Sequence, residues 1–342
     1  MSFLRSALLV FCVVLLAACS VPATEEAPQV SPDDFMGRWD LEVITVHGTY
    51  PSWLELTREG EGFSGRFVGQ VGHARPIPNI SIEGSTLTFS LPKQYEQMES
   101  DLTFTGELVE GALKGTTNTK MLVPGELAGT AESGEVPDDA EAQWVGVRAP
   151  ELAAPENVEW GEEIALFTGA SLEGWHLLDP EQDEFWKVED GVLVNDVVDE
   201  GDVGQGTGLI SDQEFENFKL HLEFMYPEGS NSGVYLRGRY EVQIQDDFGK
   251  EPGNRYIAGV YGFITPTENA AKEAGEWQTM DITLLGRYIT VVLNDVTVID
   301  NQEIPGITGG ALDSNEGEPG PIFIQGDHGP ISFRSVTITP AN

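Results

Sequence analysis

The sequence predicts an all-β protein in which a small antiparallel barrel, lipocalin-like in proportions, precedes a sandwich of two antiparallel sheets. Short segments of alternating apolar and polar residues recur along the chain, and glycine-containing turns separate them. One segment alone, PTENAAKEAGE at 266–276, suggests a helical turn. Of the 342 residues, 40% are hydrophobic, which is enough apolar material for two separate cores.

The first 18 residues are predicted to be a bacterial export signal. Arg5 precedes an apolar run that is too short to span a bilayer. The run ends in LAAC, which resembles a lipobox, so we expect cleavage before Cys19 and a lipid on its sulfur. An ordinary signal peptide with an incidental cysteine is the alternative. Lipidation would anchor the protein to a membrane of the cell envelope, at the periplasmic face of the outer membrane or at the cell surface.

Composition limits the classes of site and partner. The two cysteines, Cys12 and Cys19, lie in the signal or at its end, so the mature chain can form no internal disulfide and no thiolate zinc site. The formal net charge is −39, from 57 acidic and 18 basic residues. Nucleic acid is therefore not expected as a partner, because phosphate contacts need a basic surface.

Two segments rich in proline and alanine mark the predicted connections. Residues 19–34 form a flexible tether, and residues 148–162 link the two domains. Between them, residues 35–147 repeat an alternating strand, a glycine turn and another strand, which predicts a meander of about eight strands closed into a barrel. Trp39, Trp53 and Trp144 are expected to fill its core, with a ligand role as the alternative.

Residues 163–342 carry longer strands that predict the sandwich. Gly286-Arg287 and Asn294-Asp295 stand where hairpin turns are needed. Two packed antiparallel sheets accommodate this many strands. The clearest strands are Phe218 to Tyr226, Val234 to Arg237, Tyr240 to Gln245, Thr279 to Leu285, Tyr288 to Leu293, Val296 to Asp300, Ile322 to Gln325 and Ile331 to Ile338.

The hairpin within YPEGSNSGVYLRGRYEVQIQDD, at 226–247, carries an unusual polar face. A three-residue loop of Gly238, Arg239 and Tyr240 pairs apolar with apolar residues and polar with polar residues. It predicts that Arg237 faces Glu241 and that Tyr235 faces Gln243. In the preceding strand, His221 and Glu223 alternate with Leu220, Leu222 and Phe224, so they are expected on the polar face as well. Such a face suits either a sugar-binding floor or a surface ladder of salt bridges.

Seven motifs of the C-terminal region occur in the order found in the 3-keto-disaccharide hydrolase domain family, which this region resembles. Asp295 departs from the glycine usual in that family. The motifs are FTGASLEGW, WKVEDGVL, NSGVYLRG, YEVQIQD, GEWQTMDI, ITVVLNDVTVID and GPIFIQGDHGPISFRSVTI. The resemblance implies a concanavalin-like jelly-roll sandwich that acts on glycosides or oligosaccharides oxidised at C3. It implies hydrolysis, or elimination to a 3-keto-2-hydroxy-glucal followed by hydration.

The reaction that the resemblance implies needs a base near C2, an acid for the leaving oxygen and a group that stabilises the C3 oxyanion. Glu241 is the first candidate base, Glu223 is the alternative base, and His328 is the candidate acid or second base. Arg237 is expected to orient Glu241 or to hold the oxyanion, and in the first role it would lower the pKa of Glu241. The candidate substrate ligands are Asn231, Tyr235, Gln243, Asp246 and Gln325, of which Asp246 has a loop cap as its alternative role.

No cofactor is required by these motifs, although a divalent metal held by His221, Glu223 and His328 is an open alternative. Two functions of other classes compete with catalysis. One is a glycan-binding lipoprotein without activity, and the other is a scaffold whose barrel docks envelope proteins.

Overall fold

The computed structural model describes residues 30–96, 100–120, 141–182, 185–197 and 206–342. The predicted signal peptide and Cys19 lie outside these residues. Within them the fold is all-β, as predicted, and the one helical element is a 3₁₀ turn at Pro32–Phe35. The expected helical turn at 266–276 is therefore wrong, since these residues form irregular turns. None of the described helical segments is long and apolar enough to cross a membrane.

A curled sheet of nine antiparallel strands forms the N-terminal unit, one strand more than the eight expected. Its order is β4-β3-β2-β1-β9-β8-β7-β6-β5, and only Ile77 and Pro78 separate the two edge strands in sequence, so the sheet turns back on itself like a barrel. The strands are β1 (Gly37–Thr45), β2 (Gly48–Glu59), β3 (Gly62–Val68), β4 (Arg75–Pro76), β5 (Asn79–Glu83), β6 (Thr86–Leu91), β7 (Leu102–Val109), β8 (Ala112–Thr117) and β9 (Ala142–Arg148).

Aromatic rings fill the interior of this barrel. Phe89 and Phe104 stack with ring centroids 4.7 Å apart, and Trp144 meets both rings edge-on. Trp39 is fully buried in the same cluster, so core packing is the role observed for Trp39 and Trp144. Val30 also packs against this core, although it lies in the segment predicted to be a flexible tether.

Trp53 belongs to a different core from the one predicted. It stands on the outer face of β2 and is fully buried in the cluster of the C-terminal unit, edge-on to Phe263 at 5.3 Å between ring centroids. The indole also fits closely against Gly306, where any β-carbon would overlap it. The barrel therefore packs against the C-terminal unit through Trp53, whose indole occupies a buried site in that unit.

Two antiparallel sheets form the C-terminal sandwich, one of eight strands and one of five. The large sheet has the order β12-β13-β22-β15-β18-β19-β20, with β10 beside β22, and the small sheet has the order β11-β14-β21-β16-β17. The strands are β10 (Ile164–Phe167), β11 (Trp175–Leu177), β12 (Trp186–Glu189), β13 (Val192–Asn195), β14 (Leu209–Phe215), β15 (Phe218–Met225), β16 (Asn231–Leu236), β17 (Tyr240–Gln245), β18 (Gln278–Leu285), β19 (Tyr288–Leu293), β20 (Val296–Glu303), β21 (Gly320–Ile324) and β22 (Ile331–Pro340).

The sandwich core lies between the inner faces of the two sheets. Leu220, Leu222 and Phe224 of the large sheet share one cluster with Val234 and Val242 of the small sheet. Their alternation with polar residues produces this arrangement, because successive side chains of a strand point to opposite faces. The outer face of the small sheet is consequently left to the polar residues of β16 and β17.

The turn predicted at Asn294-Asp295 is confirmed. Asn294 has φ 50° and Asp295 has φ 65°, the left-handed conformation that a two-residue hairpin loop requires. Asparagine and aspartate tolerate this conformation better than other non-glycine residues. Aspartate therefore replaces glycine here without changing the turn.

A second contact between barrel and sandwich is a buried network of charges. Glu316 is completely buried and pairs with Arg287 at 3.0 Å, while the Tyr240 hydroxyl donates to it at 2.6 Å. Asp40, on the outer face of β1, is 4% exposed and hydrogen-bonds Glu316. Burial and the charge of Glu316 raise the pKa of Asp40 to about 9, so one proton is held between the two carboxyl groups at neutral pH.

The fit between Trp53 and Gly306 predicts coupled stability effects. We expect Trp53→Ala to lower the free energy of unfolding by about 3–5 kcal/mol, because it empties a large buried site. Gly306→Ala should cost about 1–3 kcal/mol by overpacking. The double variant should be more stable than the sum of the single effects by about 1 kcal/mol or more, measured by urea unfolding. Trp277→Ala, at a partly exposed tryptophan, is the control for the loss of an indole ring. Strictly additive effects of Trp53→Ala and Gly306→Ala would contradict direct packing of the Trp53 indole on Gly306.

Candidate functional site

The β16–β17 hairpin has a register that differs from the prediction by two residues. Tyr235 pairs with Glu241, and Leu236 pairs with Tyr240, so the three-residue loop is Arg237, Gly238 and Arg239. A shift of two residues leaves each side chain on its predicted face, whereas a shift of one would have reversed the faces. The polar face therefore exists as expected, but its cross-strand neighbours are different.

Arg237 is the predicted site residue that this shift removes. Arg237 adopts φ 53°, and its side chain is 1% exposed. The guanidinium donates to the Tyr240 hydroxyl at 3.2 Å and to the Gly286 carbonyl at 3.0 Å. The prediction that Arg237 faces Glu241 is wrong, because the arginine is drawn into the buried charged network beside Glu316 instead.

Gly233 forms the floor of the polar face. It pairs with Gln243 of β17 on one side, and its carbonyl accepts from the backbone amide of Gln325 on the other. The carboxyl group of Glu241 lies directly over it, since a β-carbon at Gly233 would overlap Glu241 Oε1. The absence of a side chain at this position makes the room that the carboxyl group occupies.

Glu241 is a buried acid that forms no ion pair with an arginine or lysine of the described residues. The residue is 4% exposed, and burial raises the pKa of its carboxyl group to about 8. The hydrogen bond with Tyr235 and the charge of His328 oppose this rise, whereas the charge of Asp327 adds to it. Glu241 is therefore protonated at neutral pH, which suits a proton donor better than the base predicted from sequence.

Tyr235 is fixed from three sides. Its hydroxyl donates to the Gly309 carbonyl at 3.0 Å and lies within hydrogen-bond reach of Glu241. Its ring packs against Phe323 of β21 with centroids 4.8 Å apart. Since it is 2% exposed, Tyr235 acts as a support for Glu241 and not as an open surface for a ligand.

His328 and Asp327 form a pair whose charges act on Glu241. The Nδ1 atom of His328 lies 2.7 Å from Asp327 Oδ1, and the histidine side chain is 34% exposed. A carboxylate on Nδ1 favours the tautomer in which the hydrogen is on Nδ1 and Nε2 is the basic nitrogen. The pair can therefore act as a base next to the protonated Glu241.

The predicted substrate ligands separate into two groups. Asn231 Oδ1 and Gln325 Oε1 are buried without a hydrogen-bond partner among the residues that the structure describes, on the face that carries Glu241. Unsatisfied buried acceptors are costly, so these amide oxygens are ready to accept hydrogen bonds from hydroxyl groups. Gln243 is instead engaged with the backbone of Ile244 at 3.1 Å, and Asp246 caps the loop by accepting from the Gly229 amide at 2.9 Å.

Glu223 and His221 lie far from this site, contrary to the expectation that they share its polar face. Both stand on the outer face of β15, which belongs to the opposite sheet of the sandwich. Glu223 pairs with Arg334, and His221 Nδ1 lies 2.7 Å from Asp281. The candidate metal ligands His221, Glu223 and His328 are thus not brought together. Across the described ranges, no three His, Cys, Asp or Glu residues are clustered so that they could hold a metal ion.

Sequence reasoning missed several residues around Glu241. Tyr261 donates its backbone amide to the Glu241 carbonyl at 3.0 Å, and its side chain hydrogen-bonds Tyr95 of the barrel. No periodic pattern marks Tyr261 or Tyr95, because both lie in irregular loops. Asp327 could have been found, since it directly precedes the predicted His328 in QGDHG.

Comparison with known proteins gives a family match over the sandwich. The model of the 3-keto-alpha-glucoside-1,2-lyase-like domain matches residues 162–339. A 3-keto-disaccharide hydrolase of Bacteroides thetaiotaomicron is 25% identical over 167 residues, which are 40% of this chain and 57% of that protein. The chain thus spans little more than half the length of this relative.

Among solved structures, two presumed glycosyl hydrolases of Parabacteroides distasonis are similar to this chain. The first is 27% identical with a TM-score of 0.44, covering 55% of this chain and 93% of the other. The second is 29% identical with a TM-score of 0.40, covering 52% of this chain and 98% of the other.

The raised pKa of Glu241 predicts a specific pH dependence of stability. The folded protein binds this proton more tightly than the unfolded chain, so the stabilisation is complete below the ordinary pKa of 4.5 and is lost as the pH rises through about 8. Between about pH 5 and pH 8, the wild type should lose roughly 3–5 kcal/mol more unfolding free energy than Glu241→Gln. Asp40 contributes equally to both proteins, so the difference isolates Glu241. Identical pH profiles in urea unfolding would show that Glu241 is not held protonated.

Proposed function

The chain belongs to the 3-keto-alpha-glucoside-1,2-lyase-like domain family, and from this premise we propose that it cleaves the glycosidic bond of 3-keto-glycosides by eliminating across C1 and C2. The observation that carries the proposal is the protonated Glu241 carboxyl group beside the Asp327–His328 pair. An acid and a base in one site are what this elimination needs.

In the first step, Nε2 of His328 takes the hydrogen at C2, which the neighbouring ketone acidifies. The C2–H electrons form the C1–C2 double bond, the bond from C1 to the glycosidic oxygen breaks, and Glu241 gives its proton to that oxygen. The products are the free leaving sugar and a 3-keto-2-hydroxy-glucal. Protonation of His328 also lowers the pKa of Glu241, which favours release of its proton at the same moment.

The second step restores both groups. Water adds at C1 while the Glu241 carboxylate takes its proton, and the imidazolium of His328, after its proton has exchanged with solvent, returns a proton to C2. The product is the free 3-keto sugar, so the overall change is hydrolysis. Asn231 Oδ1 and Gln325 Oε1 hold the oxidised ring by accepting from its hydroxyl groups, which supports binding over the Gly233 floor.

The acid role of Glu241 is tested with 3-keto-trehalose and with 4-nitrophenyl 3-keto-glucoside. We expect Glu241→Gln to lose about 10²-fold or more in kcat on the disaccharide and much less on the aryl glycoside, whose leaving group needs no proton. Glu223→Gln, on the opposite sheet, is the matched control and should keep wild-type rates. Binding of 3-keto-trehalose without turnover by the wild type would instead indicate a glycan-binding protein.

The elimination step is tested in heavy water. If His328 removes the C2 hydrogen, the 3-keto sugar released in D₂O should carry deuterium at C2, as measured by NMR and mass spectrometry. His328→Ala should release little sugar and incorporate little deuterium. Release of sugar without deuterium at C2, after correction for exchange of the free sugar, would favour direct displacement at C1 and contradict elimination.

We also propose that the protein acts in the cell envelope, held by a lipid on Cys19. The lipobox-like Leu16-Ala17-Ala18-Cys19 supports this proposal. Cys19→Ser should abolish labelling by a fatty-acid analogue and release the protein from the membrane fraction. Equal labelling of the variant and the wild type would contradict lipidation at this residue.

A further inference from the structure

The barrel reaches the candidate site through residues 69–75. The amide of Gly310 donates to the Gln70 carbonyl at 2.8 Å, and a β-carbon on Gly309 would overlap the backbone of Gly72. On the other side, a β-carbon on Gly262 would lie 2.7 Å from Cβ of His73. The segment is thus enclosed between two loops of the sandwich, both of which contact the surroundings of Glu241.

These two loops lead directly to the reacting carboxyl group. Gly309 accepts the hydrogen bond of Tyr235, which supports Glu241. Tyr261, in the other loop, interacts electrostatically with Glu241 and hydrogen-bonds Tyr95 of the barrel. Tyr261 therefore connects the strand that carries Glu241 with Tyr95 of the barrel.

Tyr95 is held firmly although its ring is open to solvent. Its amide donates to Glu96 at 3.2 Å, and Glu96 pairs with Arg75 inside the barrel, where the two residues are 9% and 8% exposed. Arg75 also donates to the Pro92 carbonyl at 2.8 Å. One edge of the ring lies against Gly72, where a β-carbon would be 2.8 Å from it, and yet Tyr95 is 51% exposed.

We propose that Tyr95 is the stacking platform for the leaving sugar, so that the barrel determines the specificity of the sandwich for disaccharides. A rigid aromatic ring with an exposed face binds the apolar C–H face of a pyranose, and its hydroxyl group supplies a polar contact. The leaving sugar is the ring assigned to this platform, because Asn231 lies at one end of the polar face of β16, whereas the loop that meets the barrel contacts Tyr235 at the other end. The inference rests on the proposed function. The barrel lies outside the residues matched by the family model, so the platform is a property of this chain.

The test compares a substrate with a second sugar ring and one without. Tyr95→Ala should raise KM for 3-keto-trehalose about 5- to 10-fold and leave kcat/KM for methyl 3-keto-α-glucoside within about 2-fold. Tyr95→Phe keeps the ring and should behave almost as the wild type. Phe63→Ala, which removes a ring elsewhere on the barrel, is the control and should change neither substrate. Equal losses on both substrates, or no loss on 3-keto-trehalose, would overturn the proposal.

A second measurement separates this inference from the proposed reaction. If the wild type turns over neither substrate, the reaction is wrong, and binding of unoxidised trehalose by calorimetry then tests the platform alone. Weaker binding by Tyr95→Ala than by Tyr95→Phe would support the platform. Equal binding by the two variants, or no binding by the wild type, would contradict it.

Discussion

The pairing of Tyr235 with Glu241 across one hairpin is the constraint on which the rest of the candidate site depends. It sets the glutamate diagonally opposite Gly233, the position on this face where a carboxyl group can fold down against the sheet. It also aims the tyrosine hydroxyl at the loop that carries Gly309. Because side chains alternate along strands, this one register determines which amides share the face with the acid.

The distribution of buried charge explains the chemistry of this face. Arg237 and Arg287 are directed to the neighbourhood of Glu316, and Arg239 lies 2.7 Å from Asp313. Glu241, only a few residues away in sequence, forms no ion pair with an arginine or lysine in the described part of the chain. The arginines of this hairpin thus lie near carboxylates outside it, whereas its own acid is kept neutral by burial, and in this way a strongly acidic protein retains a proton donor.

Sequence reasoning predicted the strands of the sandwich well because their alternation reflects which side chains are buried. It placed Tyr235, Glu241 and Gln243 on one face for the same reason. It failed where tertiary contacts determine the position of a residue. Arg237 looked like a strand residue, yet buried carbonyl and hydroxyl acceptors draw it into the loop. Glu223 has the same local alternation as Glu241, and alternation alone cannot tell which of two stacked sheets a strand joins.

Because Asp40 and Glu316 share a proton, the packing of the barrel against the sandwich depends on pH. In separated halves, two solvated carboxylates would both be ionised near neutral pH, whereas the docked halves hold one proton between them. Bringing barrel and sandwich together therefore takes up a proton and lowers the charge of the joint. In a chain of net charge −39, protonation at the seam between the domains adds to the pairing of Glu316 with Arg287 in reducing the repulsion between these two carboxyl groups.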